Sequence, residues 1–376
     1  MHADNKTPEY AELKAGVTGK DLLEAVVRSG YPLQATVAET LKEAMPKGNW
    51  RGEIQEEWAY IDRESGQVRA LDVFADIPLR HSAGEEGEFQ TRATLNTLIE
   101  CKQSELPYVF FLRHEPPQNS TAFPEIVGTA GPDVRVFPPL GRDDRVPDFS
   151  YFMSVHDVLG CHEFDIFDNP PFHAISLTKA ARHRGGKLEL TGEDAYRSIT
   201  LPLLKAADHL IGVSESKDKA SSPIRFIVPF AVVDAPMIGT VRHEGRNVFL
   251  ALPWVRMSYL EPFNNREAWN QASSRVRYFD VVHASSLHKY LHVLFEGIQK
   301  GADRAIECGP QLKEGVAVMH DGDDYMPLKP LEEERRQYLD RKPTGRIFRQ
   351  SDGHALGFLE GVEFSEEDIL TIGWNL

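Results

Sequence analysis

The first regular pattern along the chain is helical. Leu22, Leu23, Val26 and Val27 recur on one face, Thr18 and Asp21 read as a capping box ahead of them, and Gly30 stands where the helix should stop. Tyr31-Pro32 interrupts the pattern. Val37, Leu41 and Ala44 predict a second helix over about residues 33–44, ended by Met45-Pro46-Lys47-Gly48. From there the period shortens. Residues 54–61 carry Trp58, Tyr60 and Ile61, and the polar turn Arg63-Glu64-Ser65-Gly66-Gln67 supplies the glycine a hairpin needs. Residues 68–75 return as a second strand. Polar residues 76–92 read as a loop, 95–101 as a third strand and 108–112, after Pro107, as a fourth.

Residues 114–172 are rich in proline and aspartate and show no period, so they read as a long irregular insertion or a small subdomain. Ala195, Ile199, Leu203, Leu204 and Ala207 then predict a helix over 192–211, with Pro202 set against the pattern. A polar loop at 214–222 precedes strands over 224–233 and 247–259. Leu287, Leu291, Leu294 and Ile298 predict a helix over 281–305. This order describes a mixed α/β fold. Residues 1–15 are expected to be a flexible tail, 16–305 one domain carrying the insertion, and 306–376 a C-terminal extension with no assignable pattern.

Charge sharpens the picture. The chain holds 42 lysines and arginines against 57 aspartates and glutamates, a formal net charge of −15, which repels a polyanion at long range. Two local basic clusters offset this: Lys179, Arg182, His183, Arg184 and Lys187, and Arg335, Arg336, Arg341, Lys342, Arg346 and Arg349. The ordinary reading of either cluster is a solvated face. No apolar run approaches the ~18 residues of a membrane span, and Met1-His2-Ala3-Asp4-Asn5-Lys6 lacks the apolar segment of a secretory leader, so a cytoplasmic protein with no membrane partner is expected. Cys101, Cys161 and Cys308 are odd in number and far apart, which fits a reducing compartment and argues against a structural zinc site.

The chemistry concentrates in Ala70-Leu71-Asp72-Val73-Phe74-Ala75 and Thr97-Leu98-Ile99-Glu100-Cys101-Lys102, where charges sit within or at the end of apolar strands. A carboxylate buried there needs a cationic partner. Glu100 and Lys102 are two apart, so they project from one face of their strand. Asp72 can lie beside them on the neighbouring strand. Two hard carboxylates suit Mg²⁺, and a lysine beside them relieves their repulsion and can stabilise charge developing on a phosphoryl oxygen. The plain alternatives are a strand-edge Asp72 paired with Arg69 or Lys102, and a simple Glu100–Lys102 ion pair.

Tyr31-Pro32-Leu33-Gln34, Tyr60-Ile61-Asp62, Val68-Arg69-Ala70-Leu71-Asp72-Val73 and Ile99-Glu100-Cys101-Lys102-Gln103-Ser104 together resemble the PD-(D/E)xK nuclease superfamily. The resemblance implies a restriction-endonuclease-like αβββαβ core, a mixed central sheet flanked by helices, dependence on Mg²⁺ (or Mn²⁺), and endonucleolytic cleavage of nucleic acid, DNA before RNA, in defence or repair. It makes Asp72 and Glu100 the metal carboxylates and Lys102 the catalytic lysine. Gln34 stands where many members carry a further acid from the first core helix, a neutral and weaker ligand. Glu57 on the first strand is the candidate to supply that charge. Cutting both strands implies a homodimer or an accessory protein. The alternative is an inactive module of the same fold that binds nucleic acid or scaffolds a complex.

Other candidates read as structural. His288 and His292 lie one helical turn apart with no third ligand, His162 beside Cys161 has no matching pair, and Asp321-Gly322-Asp323-Asp324 lacks the spacing of a calcium loop. The chain has neither a phosphate-cradling glycine loop nor a nucleophile elbow.

Overall fold

The computed structural model describes residues 17–46, 52–81, 91–113, 123–137, 149–168, 170–183, 185–215, 222–261 and 275–318, and the backbone of 345–349 and 355–358. The expected tail, residues 1–15, lies outside these. Helix α1 (Gly19–Arg28) starts at the anticipated capping box: Thr18 accepts from the Asp21 amide, and the Asp21 carboxylate accepts from Thr18. Its stripe does not face a core, because Leu22, Leu23, Val26 and Val27 are all exposed. Helix α2 (Tyr31–Ala44) begins directly after Gly30, whose φ of 85° turns the chain between the two helices, and takes Pro32 into its first turn.

Strands β1 (Glu53–Ile61), β2 (Val68–His81) and β3 (Arg92–Gln103) form an antiparallel meander. The loop expected at 76–92 is shorter than its polarity suggested. Strand β2 runs on through Asp76–His81, with a register shift at Pro78 where the proline cannot donate to the ladder.

Residues 114–172 are not irregular where described. After β4 (Tyr108–Arg113) come β5 (Glu125–Val127), β6 (Asp133–Phe137), β7 (Phe149–Ser154), and the short helices α3 (Val155–Val158) and α4 (Asp165–Asp168). Strand β8 (His173–Arg182) forms a hairpin with β9 (Leu188–Thr191). The helix expected at 192–211 is three pieces: α5 (Gly192–Ala195), a wide π turn at Tyr196–Thr200, and α6 (Leu201–Glu215). The wide turn lets the helix pass Pro202, whose own carbonyl accepts from the Tyr60 hydroxyl at 3.1 Å.

Strands β10 (Ile224–Asp234), β11 (Met237–His243), β12 (Arg246–Ala251), β13 (Trp254–Glu261) and β14 (Arg275–His283) follow. The single strand expected at 247–259 breaks at Leu252-Pro253 into β12 and β13. The helix expected from 281 begins only at α7 (Leu287–Glu307). Val281 and Val282 belong to buried β14, and a 3-10 turn at Ala284–Ser286 joins the two, with the Ser285 amide donating to His283 Nδ1.

The large sheet is mixed and has twelve strands, ordered β1-β2-β3-β10-β14-β13-β8-β4-β11-β12, with β5 beside β10 and β9 beside β8. Strand β10 runs parallel to β3, Ala231 opposite Glu100 and Val233 opposite Lys102. The path returns towards its own middle, because β4 continues β3 and β11 continues β10. Across both breaks the two ribbons stay joined: the Ser104 amide donates to Asp234 O and the Tyr108 amide to Pro236 O.

Helices cover both faces. Val37 and Leu41 of α2 and Leu291, Leu294 and Ile298 of α7 close over Ile99 and Val228 on one side. Leu203 and Ala207 of α6 close over Leu71, Leu98 and Phe279 on the other. Each valine, leucine, isoleucine or phenylalanine among them contributes roughly 1.5–3 kcal/mol when fully buried.

The boundary expected at 305 falls within a helix. Helix α7 runs through it, α8 (Gly309–Glu314) and β15 (Val316–Val318) follow, and Leu312 and Ala317 are buried in the first core. Strands β16 (Gly345–Arg349) and β17 (Ala355–Phe358) complete a second sheet, β15-β6-β7-β16-β17, so two strands of the insertion pair with strands from beyond residue 315.

Candidate active site

The β2–β3 ladder extends from His81 opposite Arg92 to Val73 opposite Ile99 and stops there. The same register sets Asp72 across from Glu100. In place of a backbone bond at this point, the Asp72 carboxylate takes the amide of Cys101, with N to Oδ2 at 2.6 Å. An aspartate side chain thus closes the ladder while remaining partly exposed. Lys102, two residues beyond Glu100, donates to Glu100 Oε2 at 2.5 Å and to Asp72 Oδ2 at 3.3 Å. The structure therefore brings Asp72, Glu100 and Lys102 into one cluster.

Burial grades the cluster. The Glu100 side chain is 5% exposed, whereas Asp72 and Lys102 retain 24% and 25%. Burial pushes the Glu100 carboxyl up to about 8. Lys102 pulls it back, and the negative charge of Asp72 adds to the rise. For Lys102, burial disfavours the ammonium, but Glu100 and Asp72 outweigh it and hold the group above the usual lysine range. Opposite the cluster on β10 stand Ala231 and Val233, so this neighbour adds no charge. Burial raises the phenols of Tyr60 and Tyr108; Arg69 opposes the rise at Tyr60 while Glu100 adds to it, and Lys102 opposes it at Tyr108.

Gln34 is a buried residue of α2, and its amide donates to Glu56 Oε2 at 3.5 Å. The acid the structure brings to Gln34 is thus Glu56. Glu57 is exposed and adopts a φ of 52°, a left-handed conformation that interrupts the alternation of β1. Its position falls across from Asp72, between the pairs Glu56–Val73 and Trp58–Leu71. Among the described residues no group of three His, Cys, Asp or Glu side chains is placed to share an ion. What fits a divalent cation is a pair of hard carboxylates, one of them desolvated and faced by a single ammonium.

The remaining candidates separate cleanly. His288 and His292 are exposed on α7, His162 is exposed, and all three cysteines are free and buried. Lys179, Arg182, His183 and Lys187 lie on the β8–β9 hairpin, with Arg184 outside the described residues. Of the second basic cluster only Arg346 and Arg349 fall on a described element, as backbone of β16; Asp321–Asp324 lie outside. The stretch read as a simple strand edge concealed the Cys101 amide, since a backbone donor leaves no mark in residue type.

A second ionic cluster was not anticipated. Asp280 accepts from Arg256 Nε at 2.9 Å and Nη2 at 3.0 Å and from the Tyr290 hydroxyl at 2.9 Å. Arg256 also donates to the carbonyls of Ile166 and Phe167 and stacks over Phe123 at 3.8 Å. All three side chains are buried, and the network ties α4 and α7 to the sheet.

The fold and site define a mixed α/β protein with a half-buried acid–lysine cluster where its central sheet opens. None of the family models, curated proteins or solved structures compared with the chain matches it. No helix among the described residues is long and apolar enough to cross a membrane.

Proposed function

We propose that this chain is a divalent-metal-dependent nuclease of the restriction-endonuclease-like class, acting on DNA. The observation that carries the reading is the convergence of Asp72, Glu100 and Lys102 at the point where β2 parts from β3. The element order lends support: α2, the meander β1-β2-β3, then α6 and a β10 parallel to β3, with helices on opposite faces, parallels the αβββαβ core that the sequence resemblance implies. Asp72 and Glu100 would hold Mg²⁺ or Mn²⁺. Such an ion, when bound, supplies Lewis acidity to a phosphodiester and acidifies a water.

The chain's own groups do the rest. Glu100 would give up its proton to hold such an ion. Lys102, relieved of Asp72 by such an ion, would donate to the phosphoryl oxygens as negative charge builds on them. Hydrolysis adds water across one P–O bond and leaves a phosphate monoester and an alcohol. Burial of Glu100 keeps water from one side of the cluster, which strengthens these interactions.

The test is cleavage of supercoiled plasmid, linear duplex, single-stranded DNA and RNA in Mg²⁺, Mn²⁺ or EDTA, with Lys102→Ala as the control. Cutting that needs metal and disappears in the variant is expected. Cutting that persists in Lys102→Ala overturns the assignment. The neutral Gln34 favours a second reading, an inactive module that binds nucleic acid. Absence of cutting together with a metal-independent gel shift would establish that reading instead.

A further inference from the structure

The strand carrying Lys102 leads straight to a basic hairpin. After Gln103 the chain passes through residues 104–107 into β4, where Tyr108 pairs with Lys179 of β8 and the Ala180 amide donates to Pro107 O. Beyond Ala180 the chain's pairing is with β9 alone, Ala181 opposite Glu189 and Arg182 opposite Leu188. The turn closes through the His183 amide on Lys187 O and the Gly186 amide on His183 O, with Gly186 at a φ of 76°. Arg182, His183, Lys187, Leu188 and Leu190 are exposed, so this is a two-stranded ribbon in solvent.

Its charge is unspent. Lys179 rests its ammonium 5.8 Å from the Tyr108 ring, and among the described residues Lys179, Arg182 and Lys187 form no ion pair. Glu189 is the one acid on the described part of β8 and β9. In a chain of net charge −15, a basic ribbon beginning beside the acid–lysine cluster supplies a local attraction that the body of the molecule opposes. Tyr108 links the two along the chain: it opens the strand that follows β3 and carries Lys179 over its ring.

We infer that the β8–β9 hairpin is the element that docks duplex DNA for the site proposed above, entering the major groove with Arg182 and Lys187 on the flanking phosphates. The inference rests on that functional reading for its purpose, but not for its test. A major groove of B-form DNA admits a two-stranded ribbon, whereas the deep, narrow major groove of an A-form RNA duplex does not. The ribbon's form therefore selects DNA over double-stranded RNA.

The experiment is fluorescence anisotropy in EDTA, where cutting is silent. A labelled DNA duplex and the RNA duplex of the same sequence are titrated with the wild type and with R182Q/K187Q across a range of salt. Both positions are exposed, and circular dichroism checks that the variant folds. The expected result is preference for the DNA duplex, weaker binding by R182Q/K187Q, and a logarithmic salt dependence shallower by about 2 for the two lost phosphate contacts. An unchanged salt slope overturns the inference, as does equal binding of the RNA duplex or no binding to either. If the wild type cuts DNA with metal but R182Q/K187Q binds like the wild type, the hairpin assignment falls and the nuclease stands. If nothing cuts and the slope still falls, the hairpin stands and the nuclease reading falls.

Discussion

Replacing Glu100 by glutamine should change how stability depends on pH more than it changes stability itself. The carboxyl's ordinary value is 4.5, and in the folded protein burial raises it to about 8. The native state therefore holds a proton that the unfolded chain has released. Stability from this group is complete below about pH 4.5 and is lost as pH rises through about 8. At ~1.4 kcal/mol per pH unit, the whole loss is on the order of 5 kcal/mol. Burial drives His173 the opposite way, with Arg256 adding to the effect: its imidazole falls from 6.5 to about 4, so it stabilises above 6.5 and fails towards 4. Glu100 is thus read without that interference between pH 6.5 and 8, where its share is about 2 kcal/mol. Glutamine keeps the size and an acceptor for Lys102 but has no proton to lose. In urea titrations in EDTA, Glu100→Gln should gain about 2 kcal/mol on the wild type across that window. Parallel curves would show that Glu100 does not titrate there. A wild type that gains on the variant would show a carboxylate stabilised in its charged form, and the burial argument would be wrong. With Mg²⁺ or Mn²⁺ added, the stabilisation conferred by the ion should steepen with pH up to about 8 in the wild type, because the ligand must shed its proton.

Two further outcomes follow from packing alone. Asp280→Asn leaves the Arg256 guanidinium buried without its counter-charge and should cost about 3–5 kcal/mol; a change below 1 kcal/mol in the denaturation midpoint analysis would contradict the network described above. Thr18→Ala removes the cap of α1 at about 1 kcal/mol, yet α1 buries none of its residues. The melting temperature should stay put while amide exchange within α1 speeds about fivefold, and a global loss would mean that α1 is part of the cooperative core.

How much of this was legible in the sequence depended on how local each signal was. The capping box at Thr18 and Asp21, the turn around Gly66 and the strand through Trp58, Tyr60 and Ile61 are contained within a few residues, and all appear in place. The β14–α7 junction did not, because Val281 and Val282, which end a buried strand, fall six and five residues before Leu287 and so can be read as an early turn of the same helical stripe. Residues 114–172 hid a sheet whose partners, β15 and β16, lie far along the chain, so no short window could contain the pairing. For the site, Asp72, Glu100 and Lys102 were readable because charge at apolar strands is conspicuous. Their meeting depends on the Cys101 amide and on the ladder ending at Val73, which are backbone facts. The approach of Glu56 rather than Glu57 to Gln34 turns on one left-handed residue.

The breaks at 104–107 and 235–236 give the molecule an indivisible architecture. Two neighbouring ribbons cross from the meander half of the sheet to the hairpin half side by side, covalently and still hydrogen-bonded. A cassette cut at either break would strip a ribbon of its register partner and leave open edges on both fragments. The acid–lysine cluster cannot be moved into another scaffold as its first hundred residues, nor can the hairpin half be exchanged as a module. Recombination, circular permutation and domain grafting should succeed elsewhere in this chain before they succeed here.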